Sequence, residues 1–130
     1  MYLKLFNYLN WSASVVPSGP PQNIEMLSRT STSVFLSWDS PLELDINDRD
    51  GVTAYSIRVD ESGSYVNISN VNEYNVSGLL PDTSYTIFIL AENEQGLAPN
   101  FEGYYGTIDV RTGIASKLYP PQHILYTYIF

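Results

Sequence analysis

The sequence predicts an all-β fold, a two-sheet antiparallel Greek-key sandwich of seven strands, and three observations lead there. Between residues 17 and 113, short runs of alternating apolar and polar residues are separated by turn signals, the spacing of sandwich strands. Trp38 closes the alternating run Ser33-Val34-Phe35-Leu36-Ser37-Trp38, which puts a large indole on one strand face. Further on, Gly78-Leu79-Leu80-Pro81-Asp82-Thr83-Ser84-Tyr85 leads straight into Thr86-Ile87-Phe88-Ile89-Leu90-Ala91, so a tyrosine at a Pro-containing corner opens another strand. No run sustains a helical period, so little or no helix is expected.

The elements follow in order. Pro20-Pro21-Gln22-Asn23 opens an edge-like first strand, Ile24 to Arg29. The second, Ser33 to Asp39, points Val34, Leu36 and Trp38 to one side. After a loop from Ser40 to Asp50, Gly51 leads into Val52 to Asp60, where Tyr55, Ile57 and Val59 alternate with Ser56 and Arg58. Glu61-Ser62-Gly63 turns into Tyr65 to Ile68, and Tyr74 and Val76 mark a strand that ends at Gly78. The long strand Tyr85 to Glu92 precedes a loop, Asn93 to Gly103, and a last strand around Thr107 to Thr112.

Composition agrees with a folded domain: 130 residues, 44% hydrophobic and 14% aromatic, are enough to bury a sizeable core. All fourteen acidic residues lie between Glu25 and Asp109. Only Arg29, Arg49, Arg58 and Arg111 offset them from Glu25 to Arg111, leaving that segment at −10. So acidic a surface argues against nucleic acid and against an anionic bilayer, both of which call for a basic patch. The chain has no cysteine, which removes disulfide, thiolate-metal and cysteine-nucleophile chemistry together. No stretch approaches the roughly 20 apolar residues that span a bilayer, so no membrane insertion is expected of this segment.

Pro20-Pro21-Gln22-Asn23-Ile24 recurs as Pro120-Pro121-Gln122-His123-Ile124, a period close to one sandwich domain plus its linker. Three parts follow. Residues 1–18 form an N-terminal segment and interdomain linker, residues 19–113 the domain, and residues 114–130 a tail expected to carry the first strand of a following repeat.

The residues that carry a family resemblance are now in view. Pro20-Pro21, Ser37-Trp38-Asp39, Gly51 ahead of Tyr55-x-Ile57, Gly78-Leu79-x-Pro81-x-Thr83-x-Tyr85, Ala91-x-Asn93-x-x-Gly96 and Ile108-x-Val110-x-Thr112 together resemble a fibronectin type III domain, one of the immunoglobulin-like sandwiches. The entering linker Val16 to Pro21 resembles those of animal adhesion molecules and receptor-type tyrosine phosphatase ectodomains. The resemblance implies structural roles for Trp38, Tyr55, Leu79, Pro81, Thr83 and Tyr85. Trp38 is expected to fill the middle of the sandwich, Pro81 to preset the corner, and the Tyr85 hydroxyl to bond back to the backbone between Gly78 and Pro81.

Chemistry is sparse. The acidic loop Glu43 to Gly51 fails the calcium-loop spacing, since Arg49 falls on a ligand position when counting starts at Asp45. No metal or other cofactor is expected. The single histidine, His123, lies in the tail, so no Ser-His-acid arrangement can form within the domain and no enzyme is predicted. Glycosylation triplets begin at Asn10, Asn67 and Asn75, and both Asn67 and Asn75 alternate out of phase with their apolar neighbours. The alternation also points Phe88 and Leu90 outward as an exposed apolar pair. Leu97, Phe101 and Tyr104 sit on a loop long for a hairpin, with polar neighbours, as interface anchors do. These five are the candidate partner contacts.

The resulting expectation is a non-catalytic spacer and protein-interaction module of an extracellular adhesion or receptor protein, contacting a protein partner and neighbouring repeats of its own chain. The alternatives are a repeat of an intracellular scaffold of the muscle-filament kind and an accessory domain of an extracellular enzyme. The Arg-Gly-Asp and Trp-Ser-x-Trp-Ser elements found in parts of the family are absent.

Overall fold

A computed structural model describes residues 16–42 and 51–115. The acidic loop from Glu43 to Asp50, the Asn10 triplet and the tail with His123 lie outside the described residues. Among the described residues there are eight strands: β1 (Gln22–Arg29), β2 (Ser33–Asp39), β3 (Ala54–Val59), β4 (Val66–Asn67), β5 (Glu73–Ser77), β6 (Ser84–Asn93), β7 (Gly96–Leu97) and β8 (Gly106–Arg111). The sequence predicts seven. The additional one, β7, is two residues that turn back along the end of β6 inside the segment read as loop. One sheet has the order β1-β2-β5; the other runs β4-β3-β6, with β6 also pairing β7 and β8. All these pairings are antiparallel.

The inward rows of the two sheets form one core. Val34, Leu36 and Trp38 of β2 and Val76 of β5 face Tyr55 and Ile57 of β3, Ile87, Ile89 and Ala91 of β6, and Val110 of β8. These are the positions that a period of two assigns to the inside. Trp38 and Tyr55 meet edge-to-face, ring centroids 5.4 Å apart at 70°, a geometry that adds to burial. Truncating Trp38 would cost about 3–5 kcal/mol through lost transfer energy and the cavity left behind.

Tyr55 is completely buried, and its hydroxyl pairs with Ser40 Oγ at 3.0 Å. Burial pushes its phenol above the ordinary value of 10.0; the Ser40 hydrogen bond and the neighbouring Trp38 indole pull it back by less. At the other margin, β1 crosses the start of β8 so closely that a Cβ on Gly106 would lie 2.4 Å from Ile24 Cδ1. A side chain there would have to push the Ile24 tip aside and would press on the Pro21 carbonyl, 3.0 Å away, so glycine eases the approach of the two sheets. The β1–β2 pairing shifts register twice, and bulges of this kind blunt the free edge of β1.

The chain crosses from β5 to β6 through a corner held on every side. Gly78 adopts φ +77, which a side chain rarely tolerates, and buried Leu79 donates its N–H to the Thr32 carbonyl at 2.9 Å. The Leu80 N–H donates to Tyr85 Oη at 2.8 Å, while the Leu80 carbonyl accepts from Thr112 Oγ1 at 2.6 Å. Thr112 Oγ1 also accepts the Thr83 N–H at 3.0 Å, and Asp82 N–H donates to the Gly113 carbonyl at 2.9 Å. Pro81 presets φ, and its carbonyl accepts from Thr83 Oγ1 at 2.8 Å. Both polar groups of the Leu80 main chain are thus satisfied by side-chain hydroxyls, one from β6 and one from the end of β8.

Two outcomes follow. Tyr85→Phe should lower stability by about 1–2 kcal/mol, and Thr112→Val, which strips two partners from a buried site, by about 1–3 kcal/mol, both with the fold retained in chemical denaturation. For Tyr55, the neutral phenol favours the folded state, so its contribution is complete below pH of about 10 and is lost as pH rises through the higher folded value. Denaturation midpoints should fall on going from about pH 9 to about pH 11, and Tyr55→Phe should remove part of that fall.

Candidate interaction surface

One end of the sandwich gathers the departure of β2 at Pro41-Leu42, the entry of β3, and the β6–β7 hairpin with the loop that follows it. Asn93 shapes the hairpin: its Oδ1 accepts the Gln95 N–H at 2.9 Å, and Gly96 closes the turn at φ +137. Beyond β7 the Ala98 N–H still donates to the Ala91 carbonyl at 2.9 Å, so the chain clings to β6 for one more residue. It then turns sharply, with Phe101 N–H on the Pro99 carbonyl at 2.9 Å and Tyr104 N–H on the Phe101 carbonyl at 3.0 Å. From the side, Tyr65 Oη donates to Asn100 Oδ1 at 3.0 Å. A loop pinned this way presents its side chains in fixed positions.

Phe101 stands at its tip, 68% exposed, and Leu97 is 37% exposed; on the other loop at this end Leu42 is 52% exposed. Tyr104 is half-buried. The carboxylates of Glu94 and Glu102 are exposed beside them. The arrangement is an apolar group rimmed by negative charge, with no group of three or more His, Cys, Asp or Glu side chains converging as metal ligands among the described residues.

The other predicted contact pair is corrected by the structure. Phe88 is only 4% exposed and Leu90 is fully buried, although both lie in the outward phase of β6. Arg58, directly across from Phe88 on β3, lays its guanidinium 4.1 Å from the Phe88 ring centroid and 5.1 Å from that of Tyr65. The guanidinium is held there by Nη1 donating to the Glu61 carbonyl at 2.9 Å. On the other side Tyr105 meets Phe88 edge-to-face, centroids 5.0 Å apart at 79°. Leu90 is paired with the short Ser56 of β3, and the chain leaving β7 stays bonded to the next residue of β6, Ala91, through the Ala98 N–H. Phe88 is therefore covered by a cation–π stack on one side and by Tyr105 of the folded-back loop on the other. In the sequence Arg58 is marked only by its alternation with Tyr55, Ile57 and Val59; the signal that finds its role is cross-strand registry, which sets a long cation opposite an aromatic ring.

The remaining predicted residues fall as follows. Trp38, Tyr55 and Leu79 are in the core, and Pro81, Thr83 and Tyr85 form the corner. Asn67 on β4 and Asn75 on β5 are both exposed. Thr112, Tyr65 and Tyr105 were not singled out as site residues, yet each holds one of these features in place.

Comparison with known proteins places this geometry. Receptor-type tyrosine-protein phosphatase F of Bos taurus is 34% identical over 87 residues, covering 65% of this chain and 4% of that protein. Tyrosine-protein phosphatase Lar of Drosophila melanogaster is 35% identical over 89 residues, covering 60% of this chain and 4% of that protein. The chain thus spans only a small part of the length of these curated relatives. Among solved structures, the crystal structure of the FN5 domain of Drosophila Lar superposes with a TM-score of 0.57 at 28% identity, covering 77% of this chain and 100% of that domain. Chicken CNTN1 FN1-FN3 superposes with a TM-score of 0.58 at 24% identity, covering 75% of this chain and 33% of that one, and shares the fold. The fibronectin type III domain profile matches residues 19–102, and the chain belongs to that family, a non-catalytic β-sandwich module.

Proposed function

We propose that this domain is a spacer and protein-interaction module in the extracellular part of a multidomain adhesion or receptor protein, and that it binds a protein partner through the end carrying Leu97 and Phe101. The relatives among receptor-type tyrosine phosphatases support the setting. In this reading residues 19–113 are one repeat, a Greek-key sandwich of seven principal strands with β7 as the tip of the β6 hairpin. Residues 1–18 lead in from a preceding repeat, and residues 114–130 open the next, as the recurrence of Pro20 to Ile24 at Pro120 to Ile124 suggests. No helix among the described residues is long and apolar enough to cross a membrane.

The observation that carries the binding surface is the exposure of Phe101 on a loop whose backbone is tied at Ala98, Phe101 and Tyr104. An aromatic held rigidly in the open loses little entropy on docking. Glu94 and Glu102 around it select a partner with an apolar centre and a basic rim, so association should weaken as salt rises. A preceding repeat is a second occupant that one observation favours. Val16 Cγ1 lies 3.5 Å from where a Cβ on Gly96 would stand, so the chain enters at this same end.

Replacing Leu97 and Phe101 together by Ser is expected to weaken partner binding by at least about tenfold with an unchanged denaturation midpoint. Lost stability with binding intact would show that both residues serve the fold. If the preceding repeat is the occupant, the double variant should instead alter the inter-repeat angle measured by small-angle scattering on the tandem chain.

A further inference from the structure

We propose that Asn75 is the N-glycan acceptor of the described domain, with Phe35 as the surface on which its first sugar packs. The proposal rests on the extracellular reading above for the route the chain takes, and on the two exposed triplets being in very different surroundings.

Asn67 is occupied by the fold. Its Nδ2, the atom a glycan would be attached to, donates to Glu92 Oε2 at 3.0 Å. Its Oδ1 accepts the Ser69 N–H at 3.1 Å, and this bond shapes a turn in which Ser69, the third residue of the triplet, takes φ +67. A sugar on Nδ2 would displace the Glu92 carboxylate and crowd the turn. Asn75 has none of these ties: among the described residues its side-chain amide makes no hydrogen bond, and β5 is the last strand of its sheet.

Asn75 points to the outer face, between inward Tyr74 and buried Val76, and sits directly opposite Phe35 of β2. Directly opposed residues have Cβ atoms about 4.5–5.5 Å apart, which brings a group attached to one over the side chain of the other. Phe35 is half-buried, and across β1 its partner is Ser28. Its neighbours along the outer rows are short as well: Ser33 and Ser37 on β2, Ser77 on β5. The rows end in Glu25 of β1 and Glu73 of β5, both opposite Ser37, and the part of the half-buried ring that stays open among the serines offers the apolar C–H face of a pyranose a platform. The reaction forms a bond from Asn75 Nδ2 to C1 of the first N-acetylglucosamine and breaks the C1–O bond of a lipid-diphosphate-linked oligosaccharide. The lipid diphosphate leaves with the bonding pair, and one amide proton passes to the transferase.

The test is secretion of the full chain, carrying Asn10→Gln and a supplied signal peptide, from a eukaryotic host, followed by site mapping. The supplied signal makes the result independent of the route the native chain takes, so failure here is distinguishable from failure of the extracellular reading. The expected result is a glycan at Asn75, lost in Asn75→Gln and in Ser77→Ala and kept in Asn67→Gln. The glycoprotein trimmed to its first sugar should melt higher than the Asn75→Gln chain, and Phe35→Ser should erase that difference. Occupancy confined to Asn67, an unmodified chain in the medium, or a melting increment that survives Phe35→Ser would overturn the proposal.

Discussion

The main chain of Leu80 is gripped from two directions, its N–H by the Tyr85 hydroxyl and its carbonyl by the Thr112 hydroxyl, and the relation of the two sheets depends on that grip. This is where the chain leaves one sheet and enters the other. A segment between sheets has no ladder to join, so its polar groups find partners one by one, here from two side-chain hydroxyls and from neighbouring main chain. Tyr85 opens β6 and Thr112 follows β8, so both hydroxyls belong to the second sheet and hold the exit from the first. Leu79 N–H on the Thr32 carbonyl and Gly113 N–H on the Thr30 carbonyl tie the same corner to the β1–β2 turn. Each bond is worth only about 0.5–1.5 kcal/mol, yet together they are comparable to the removal of a core side chain. The exposed Arg111–Asp82 pair alongside, 2.9 Å apart, adds little by comparison because water screens it.

Rigidity made at the corner is used at the opposite end. β6 runs from Ser84 beside the corner to Asn93 at the hairpin, and the contact loop is anchored along its last residues. Over the middle of the strand, Arg58, Phe88 and Tyr105 bind the loop base to the outer face of the sheet. Tyr105 is spent in that packing, which leaves Phe101 free to project. The apolar content of the loop is thereby divided between a structural part and a presented part.

The inward rows were legible in the sequence because a period of two is a strong signal in β2 and β6, and the corner because Gly78, Pro81 and Tyr85 each have one good reason for their place. The outward row of β6 was misread. Alternation assigns Phe88 and Leu90 to the outside correctly, but outside is not the same as exposed. Whether a ring meets water depends on which residue sits across the strand, and Arg58 is thirty positions away in the chain. Thr112 illustrates the same limit: nothing local marks a threonine at the end of a strand as the partner of a residue thirty-two positions earlier. Strand β7 was lost in the loop because two residues hold no pattern. Of the candidate surface, Leu97 and Phe101 were visible as apolar residues in a polar loop; which aromatic would fold back was set by loop geometry.

The claim on which the rest stands is that Tyr85 and Thr112 act on one peptide group and through it on one structural element. A double-mutant cycle of Tyr85→Phe and Thr112→Val, read by chemical denaturation, tests it most directly. Once either hydroxyl is gone the Leu80 peptide can shift toward solvent, so the second loss should cost less, and the double variant should fall short of the sum by at least about 0.5 kcal/mol. Losses that add within about 0.3 kcal/mol would mean the two hydroxyls stabilise independent parts of the fold, and the corner would not be the constraint described.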